Sequence, residues 1–332
     1  MVSADKGDFQ VDMKELHISY PYGPEKSRYE QLTAPIKRVD PKDFQVFKDD
    51  GYLEPFKEHF YYRYQRYCEF LDKIEKNEGS LYDFSQGYRI YGFQTRSNGI
   101  YFREWAPGAK EIYLCGDFNG WNQKEYPLKK DSFGNWSIFL PTKSDGTHVI
   151  PHNSKVKLFM LTAKDEWEYR IPAWITYAIQ DEKTKAFDGV YLSQEPKYRY
   201  EWKYTTLKRP ASVRIYETHV GMSSSEPKVS TYKEFKDNVL PRIKKAGYNV
   251  IQIMAIMEHA YYGSFGYHVT NFFAASSRYG TPNDLKELVD AAHSMGIMVL
   301  IDLVHRYKKL FLFTLMHLRL FVVMPLQIAS ME

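Results

Sequence analysis

The sequence predicts a multidomain protein of mixed α and β structure: an N-terminal helical segment, an antiparallel β-sandwich, and a run of parallel βαβ units. Three observations predict it. The apolar period is helical within the first 85 residues, becomes short alternating runs over about residues 87–192, and becomes strand–helix–strand after about residue 212. Apolar residues three and four apart mark one face of a helix, and apolar residues two apart mark one face of a strand.

In the helical segment, residues 56–74 (FKEHFYYRYQRYCEFLDKI) place Phe60, Tyr64, Cys68 and Leu71 on one face. Asn77, Glu78 and Gly79 are expected to break this helix, with Gly79 as its cap. The sandwich is read from YRIYGF, EIYLCGDF, NWSIFLP, VKLFML and EWEYRI, with turn signals at Ser97-Asn98-Gly99, Asn119-Gly120 and Asp145-Gly146. A linker over 197–212 leads to VRIYETHV (213–220), a strand, and then to one amphipathic helix over 232–246 that Gly247 ends. NVIQIMAI (249–256) reads as a buried strand and is followed by a long loop. Thr281-Pro282 starts a helix over 282–295, and IMVLIDLVH (297–305) is a third strand. Apolar strands alternating with helices imply parallel, right-handed βαβ units. Residues 310–328 are 14 apolar residues in 19, interrupted by His317, Arg319, Pro325 and Gln327. A central Arg costs about 2.5–3.5 kcal/mol on the insertion scale, which argues against a membrane span.

Composition narrows the function. The 332 residues leave room for two ordinary domains or one large barrel, and 44% hydrophobic residues exclude wholesale disorder. With 45 Lys and Arg against 41 Asp and Glu, the net charge of +4 is too small to imply nucleic acid as a partner. Cys68 and Cys115 are the only cysteines, which excludes a disulfide scaffold and a cysteine-based zinc site and fits a reducing, cytoplasmic setting. The first residues lack a basic n-region and an apolar h-region, so no secretory signal is expected. No phosphate loop or nucleophile elbow is present, Ser223, Ser224 and Ser225 lack a nearby base, and His219 and His259 lack a metal-ligand spacing; no metal or cofactor is expected. Aromatics make up 17% of the chain. Such rings stack on flat faces, of which near-neutral charge favours a sugar, or else they fill an aromatic core.

Three stretches carry a family resemblance. FREWAPGAKEIYLCGDFNGWN (102–122) resembles the family-48 carbohydrate-binding module found in α-glucan enzymes. RIYETHVGMSSSE (214–226) and VIQIMAIMEHAYYGSFGYHVTNFFAASSRYGTP (250–282) resemble the opening of a family-13 glycoside hydrolase barrel, and IDLVH (301–305) its first signature region. With NEGSLYDFSQGY (77–88), the chain over about 40–305 is similar to eukaryotic glycogen and starch branching enzymes. The implied fold is a helical segment (1–85), a β-sandwich carbohydrate-binding module (86–196) and the first three βα units of an incomplete TIM barrel (197–305), followed by an apolar tail foreign to the family (306–332).

The resemblance implies an enzyme that cuts α-1,4-glucan, holds the fragment covalently and transfers it to a 6-hydroxyl, by two carboxylates in a retaining mechanism. It places the nucleophile after the fourth barrel strand and the acid after the fifth, so no catalytic residue is assigned here and the chain is expected to be catalytically incomplete. Remnants of the donor subsite are Tyr267, which would stack on the sugar, and Asp302 and His305 at the end of the third strand. Their alternatives are a core tyrosine and a buried structural Asp–His pair. The family motif continues Ser-His, whereas Arg306-Tyr307 follow here, as a misread splice junction after His305 would produce. A malto-oligosaccharide is implied between the helical segment and the sandwich, involving Asn77, Glu78, Trp105, Ala106, Pro107, Trp121 and Lys157, with Ser132, Phe133, Gly134 and Asn135 on the rim. Lys157 alternates with Val156 and Leu158, so its side chain should face outward; the alternatives are a solvated lysine and, for the tryptophans, core positions. The expected partner is α-1,4-glucan or glycogen, with chaperones as a further partner of an unfinished barrel. A non-catalytic glucan-binding protein is the alternative function, and a membrane-attached fragment the third reading.

Overall fold

The computed structural model describes residues 25–204 and 207–304. His305 and the tail over 306–332 lie outside the described residues, and with them the expectations placed there. The chain forms two compact units, Met1–Ile90 and Tyr91–Glu332.

The first unit is helical: α1 (Lys26–Leu32), α2 (Val46–Asp49), α3 (Lys57–Glu78) and α4 (Leu81–Ser85). The Tyr29 hydroxyl of α1 donates to Asp83 of α4 at 2.7 Å, and Ser80 caps α4 by accepting from the Asp83 N–H. Helix α3 runs four residues further than the periodicity of 56–74 indicates. Asn77 and Glu78 do not break it, because the Asn77 amide bonds back to the Lys73 carbonyl at 2.8 Å. Gly79, at φ 89°, ends it, a left-handed conformation that a residue with a Cβ resists.

The second unit begins with a sandwich. Four strands, β1 (Gly92–Arg96), β2 (Gly99–Trp105), β5 (Lys129–Lys130) and β6 (Asn135–Pro141), pair antiparallel in the order β1-β2-β6-β5. The second sheet holds β3 (Glu111–Gly116), β4 (Tyr126–Pro127), β7 (Lys155–Leu161), β8 (Trp167–Arg170), β9 (Ala178–Gln180) and β10 (Phe187–Val190). Ile100, Phe102, Leu114, Val156 and Leu158 fill the space between the sheets. YRIYGF is only partly a strand: a helical turn at Gly87–Arg89 precedes β1, which starts at Gly92.

Next comes a parallel sheet in the order β11-β12-β15, formed by β11 (Ile215–His219), β12 (Val250–Met254) and β15 (Met298–Ile301). Register is continuous, with Ile251 opposite Tyr216 on one side and Val299 on the other. The crossover helices are α5 (232–245) and α6 (Pro282–Ser294), the latter started by a Thr281 cap reciprocated by Asp284. Helix α5 departs from the single α-helix expected. Its middle, Phe235–Val239, is a π-helical turn, since Pro241 has no N–H to return to the carbonyl four residues back. The long loop after β12 also holds a hairpin, β13 (Met257–His259) with β14 (Val269–Ala275), whose register shifts at Glu258 hide its period. Among the described residues, no helix is long and apolar enough to cross a membrane.

Candidate functional site

The Trp105 rim is built where β2 ends against the turn before β6. Asp131 organises that turn: one carboxylate oxygen accepts the N–H groups of Phe133 (2.8 Å) and Asn135 (2.9 Å), and the other accepts the Asn135 amide (2.8 Å). Burial works to raise the Asp131 carboxyl, but these hydrogen bonds outweigh it and hold the group below its usual range. The turn leaves Ser132 and Phe133 exposed, Phe133 by 56%. Trp105, half-buried, donates its indole N–H to the Phe133 carbonyl at 3.1 Å. Ala106 accepts from the Trp136 indole at 2.9 Å and donates to Gly134 at 3.0 Å, and exposed Pro107 accepts from Lys130 at 2.8 Å. Asn135 is only 2% exposed, and its amide oxygen takes the Tyr91 hydroxyl at 2.7 Å. Of the rim residues named from sequence, Trp105, Pro107, Ser132 and Phe133 present surface, while Gly134 and Asn135 are buried and hold the turn.

Lys157 lies on β7 of the other sheet, and Trp121 in the turn that follows β3. Trp121 sits at φ 62°, held there by its indole N–H donating to Asp117 at 2.9 Å and its backbone N–H to Gly116 at 2.9 Å. A left-handed non-glycine residue costs roughly 1–2 kcal/mol, and such strain recurs where a side chain must be aimed. Trp121 meets the Tyr169 ring edge-on at 6.4 Å. Register places Tyr169 opposite Phe159 and Trp167 opposite Leu161, so Lys157, Phe159, Trp167 and Tyr169 share one face. Phe159 lies under this layer, stacked on Trp167 at 4.6 Å and tilted against Tyr169 at 5.1 Å. Trp167 and Tyr169 are 37% and 40% exposed. Lys157 does face outward, as its alternation predicts, but it is not a solvated cation: its ammonium pairs with Asp188 at 2.7 Å and is 17% exposed. Burial tends to raise Asp188, and the two lysines Lys157 and Lys155 overcome it and keep the carboxyl ionised. An ammonium has three protons, so Lys157 keeps donors for a second partner.

Tyr267 and Asp302 come to the same end of the parallel sheet. The Asp302 N–H donates to Ile253 at 3.0 Å, and Gly266, just before Tyr267, lies so close to Ala255 that a Cβ there would sit 2.3 Å from its Cα. Both are thereby anchored beside the C-terminal end of β12. Tyr267 is 46% exposed and Asp302 half-buried. His219 and His259, distant in sequence, converge on the Tyr279 hydroxyl at 3.4 and 3.5 Å, and burial holds both imidazoles below their usual pKa. Among the described residues, no three His, Cys, Asp or Glu groups are placed to hold a metal. In the other unit, Asn77 is exposed and Glu78 half-buried in the last turn of α3.

Residues 90–175 match carbohydrate-binding module 48 (isoamylase N-terminal domain), and residues 238–309 match the α-amylase catalytic domain. The chain is 51% identical over 262 residues to a 1,4-α-glucan-branching enzyme of Dictyostelium discoideum, covering 79% of this chain and 38% of that one. It is 52% identical over 277 residues to a 1,4-α-glucan-branching enzyme of Solanum tuberosum, covering 82% of this chain and 32% of that one. The chain is homologous to the 1,4-α-glucan-branching enzymes. It spans about a third to two fifths of the length of these two relatives. Among solved structures it is similar in fold to a type I pullulanase from Bacillus subtilis complexed with maltose, with a TM-score of 0.52 and 17% identity over 66% of this chain and 33% of that one.

Within this branching-enzyme homologue, the module match encloses both the Trp105 rim and the Trp121 face. Sequence reasoning missed Trp167 and Tyr169, although W-E-Y-R alternation already puts them on one side of a strand. What it lacked was the pairing of β8 with β7 across the turn at Asp165, which sets them beside Lys157.

Proposed function

We propose that this branching-enzyme homologue binds α-1,4-glucan through its sandwich. The observation that carries the reading is the face on which Trp121 meets Tyr169 and the Tyr169 ring lies 6.0 Å from the Lys157 ammonium, beside a Trp167 that is stacked on Phe159 and covered by Lys124. Pyranose rings have apolar faces that lie against such aromatics, and the Lys157 ammonium supplies hydrogen bonds to ring hydroxyls. Trp105, Pro107, Ser132 and Phe133 form a second contact zone, and Tyr267 and Asp302 contribute to a donor-sugar subsite. The module match, the names of the relatives and the maltose complex of the pullulanase support an α-glucan ligand.

One measurement tests this reading. In native gels cast with glycogen the 332-residue chain is retarded, and Trp121→Ala combined with Lys157→Ala weakens the apparent affinity about tenfold or more; equal retardation of both proteins rejects the site.

A further inference from the structure

Trp174 lies between the rim and the barrel-like region, and both of its faces are occupied. One face stacks on Tyr91 at 5.3 Å and 13°, the other on Phe273 of β14 at 4.1 Å and 8°. The Arg103 guanidinium lies over the Tyr91 ring at 5.3 Å. The fit is tight: a Cβ on Gly92 would fall 2.9 Å from the Trp174 Cβ. Two hydrogen-bonded routes lead from this stack to the rim. The Tyr91 hydroxyl donates to the amide oxygen of Asn135, in the turn whose Phe133 carbonyl receives the Trp105 indole. The Ala173 N–H, next to the Trp174 backbone, donates to one oxygen of Glu104 at 2.7 Å, while the other oxygen accepts the Trp105 N–H at 3.1 Å. On the opposite side Phe273 belongs to β14, where Ala274 enters the sandwich core and Ala275 bridges to Tyr177.

We propose that Trp174 is a positioning residue for the Trp105 rim, and that it is set from the barrel side by Phe273. Trp174 fixes the plane of Tyr91 and so the amide of Asn135, and its neighbour Ala173 fixes the carboxylate that holds the Trp105 backbone. Phe273 thereby controls glucan affinity at a distance of two rings. The inference rests on the glucan-binding reading of the rim and deepens it: affinity there depends on the packing of β14.

Isothermal titration of the full 332-residue chain with maltoheptaose tests it, in a background of Trp121→Ala and Lys157→Ala that weakens the other face, so that the share lost with Trp105 reports the rim. Binding that Trp105→Ala weakens is expected in that background; a Trp105→Ala variant that binds equally well overturns the reading of the rim itself. Given that binding, Trp174→Leu and Phe273→Ala each weaken it roughly five- to tenfold, the worth of one or two aromatic stacks. Trp174→Phe, which keeps a stacking face, restores it to within about twofold. A merely structural role would lower the melting temperature in all three without this rescue. Should Trp174→Leu fail to fold, Phe273→Leu, which exchanges the ring for an aliphatic group, carries the same expectation. Unchanged affinity in the folded Phe273 variants overturns the proposal.

Discussion

Glu104 combines burial with two backbone partners, and its protonation should be visible in the stability of the whole chain. Burial pushes its carboxyl up to about 7 from an ordinary value of 4.5, against the pull of the N–H groups of Ala173 and Trp105. The folded state therefore holds a proton that the unfolded chain releases near pH 4.5. The resulting stabilisation is complete below that value and is lost as the pH rises through about 7. Its size is on the order of 3 kcal/mol. Thermal melts of the wild type should fall between pH 5 and 8, and those of Glu104→Gln should fall less over the same range. The variant's own melting temperature is lower at acid pH, because an amide offers only one acceptor to two N–H donors. Parallel slopes for the two proteins would assign the titration elsewhere. At this scale the sequence was legible in exposure: Phe133 and Tyr267 lie at the surface, and Trp121 is half-buried in its turn. It was not legible where partners decide. Nothing adjacent in sequence says that Lys157 meets Asp188, or that Asn135 spends its amide on Asp131 and Tyr91.

Between residues and the whole lies the turn joining β5 to β6, which is set by one glycine. Gly134 has φ 83°, and a Cβ there would stand 2.6 Å from Pro107. Gly134→Ala is therefore expected to cost about 1–3 kcal/mol by left-handed strain and overlap, read as a lower melting temperature. Glycogen binding through the rim should fall with it, because Phe133 is displaced from Trp105; a variant that melts and binds like the wild type refutes the close approach. Strand β6 after this turn was readable as the run NWSIFLP, and β2 beside it from FREW, in which every second residue is buried. The hairpin of β13 and β14 was not, because its register shifts on both sides of Glu258 break the period of two. Helix α5 was placed correctly but its form was not, since a periodicity count over 232–246 passes over Pro241 and so over the π turn it causes.

For the molecule as a whole, the parallel sheet is the unusual part. Parallel sheets ordinarily have both faces covered, yet Ile215, Tyr216 and Glu217 of β11 are all exposed, and β11 lies at the end of its sheet. A groove of about 780 Å³ runs beside it, with Met222, Ile243 and Phe265 among its lining. An uncovered edge of this kind recruits further strands. Light scattering of the 332-residue chain should report self-association that grows with concentration, and Tyr216→Lys should reduce it; a strictly monomeric wild type at high concentration contradicts this. The order of these strands was readable from the alternation of apolar runs and helices, whereas the exposure of β11 was not, because burial of a strand depends on neighbours that its own residues do not name. That exposure also sets a clock. In a closed barrel the first strand pairs with the last, so a ribosome that makes β11 first leaves its edge bare until the final strand emerges. At roughly 5–20 residues per second, every further hundred residues prolongs the wait by about 5–20 s. The open side of this sheet is thus a feature that any such barrel must survive in time, once per molecule, each time it is translated.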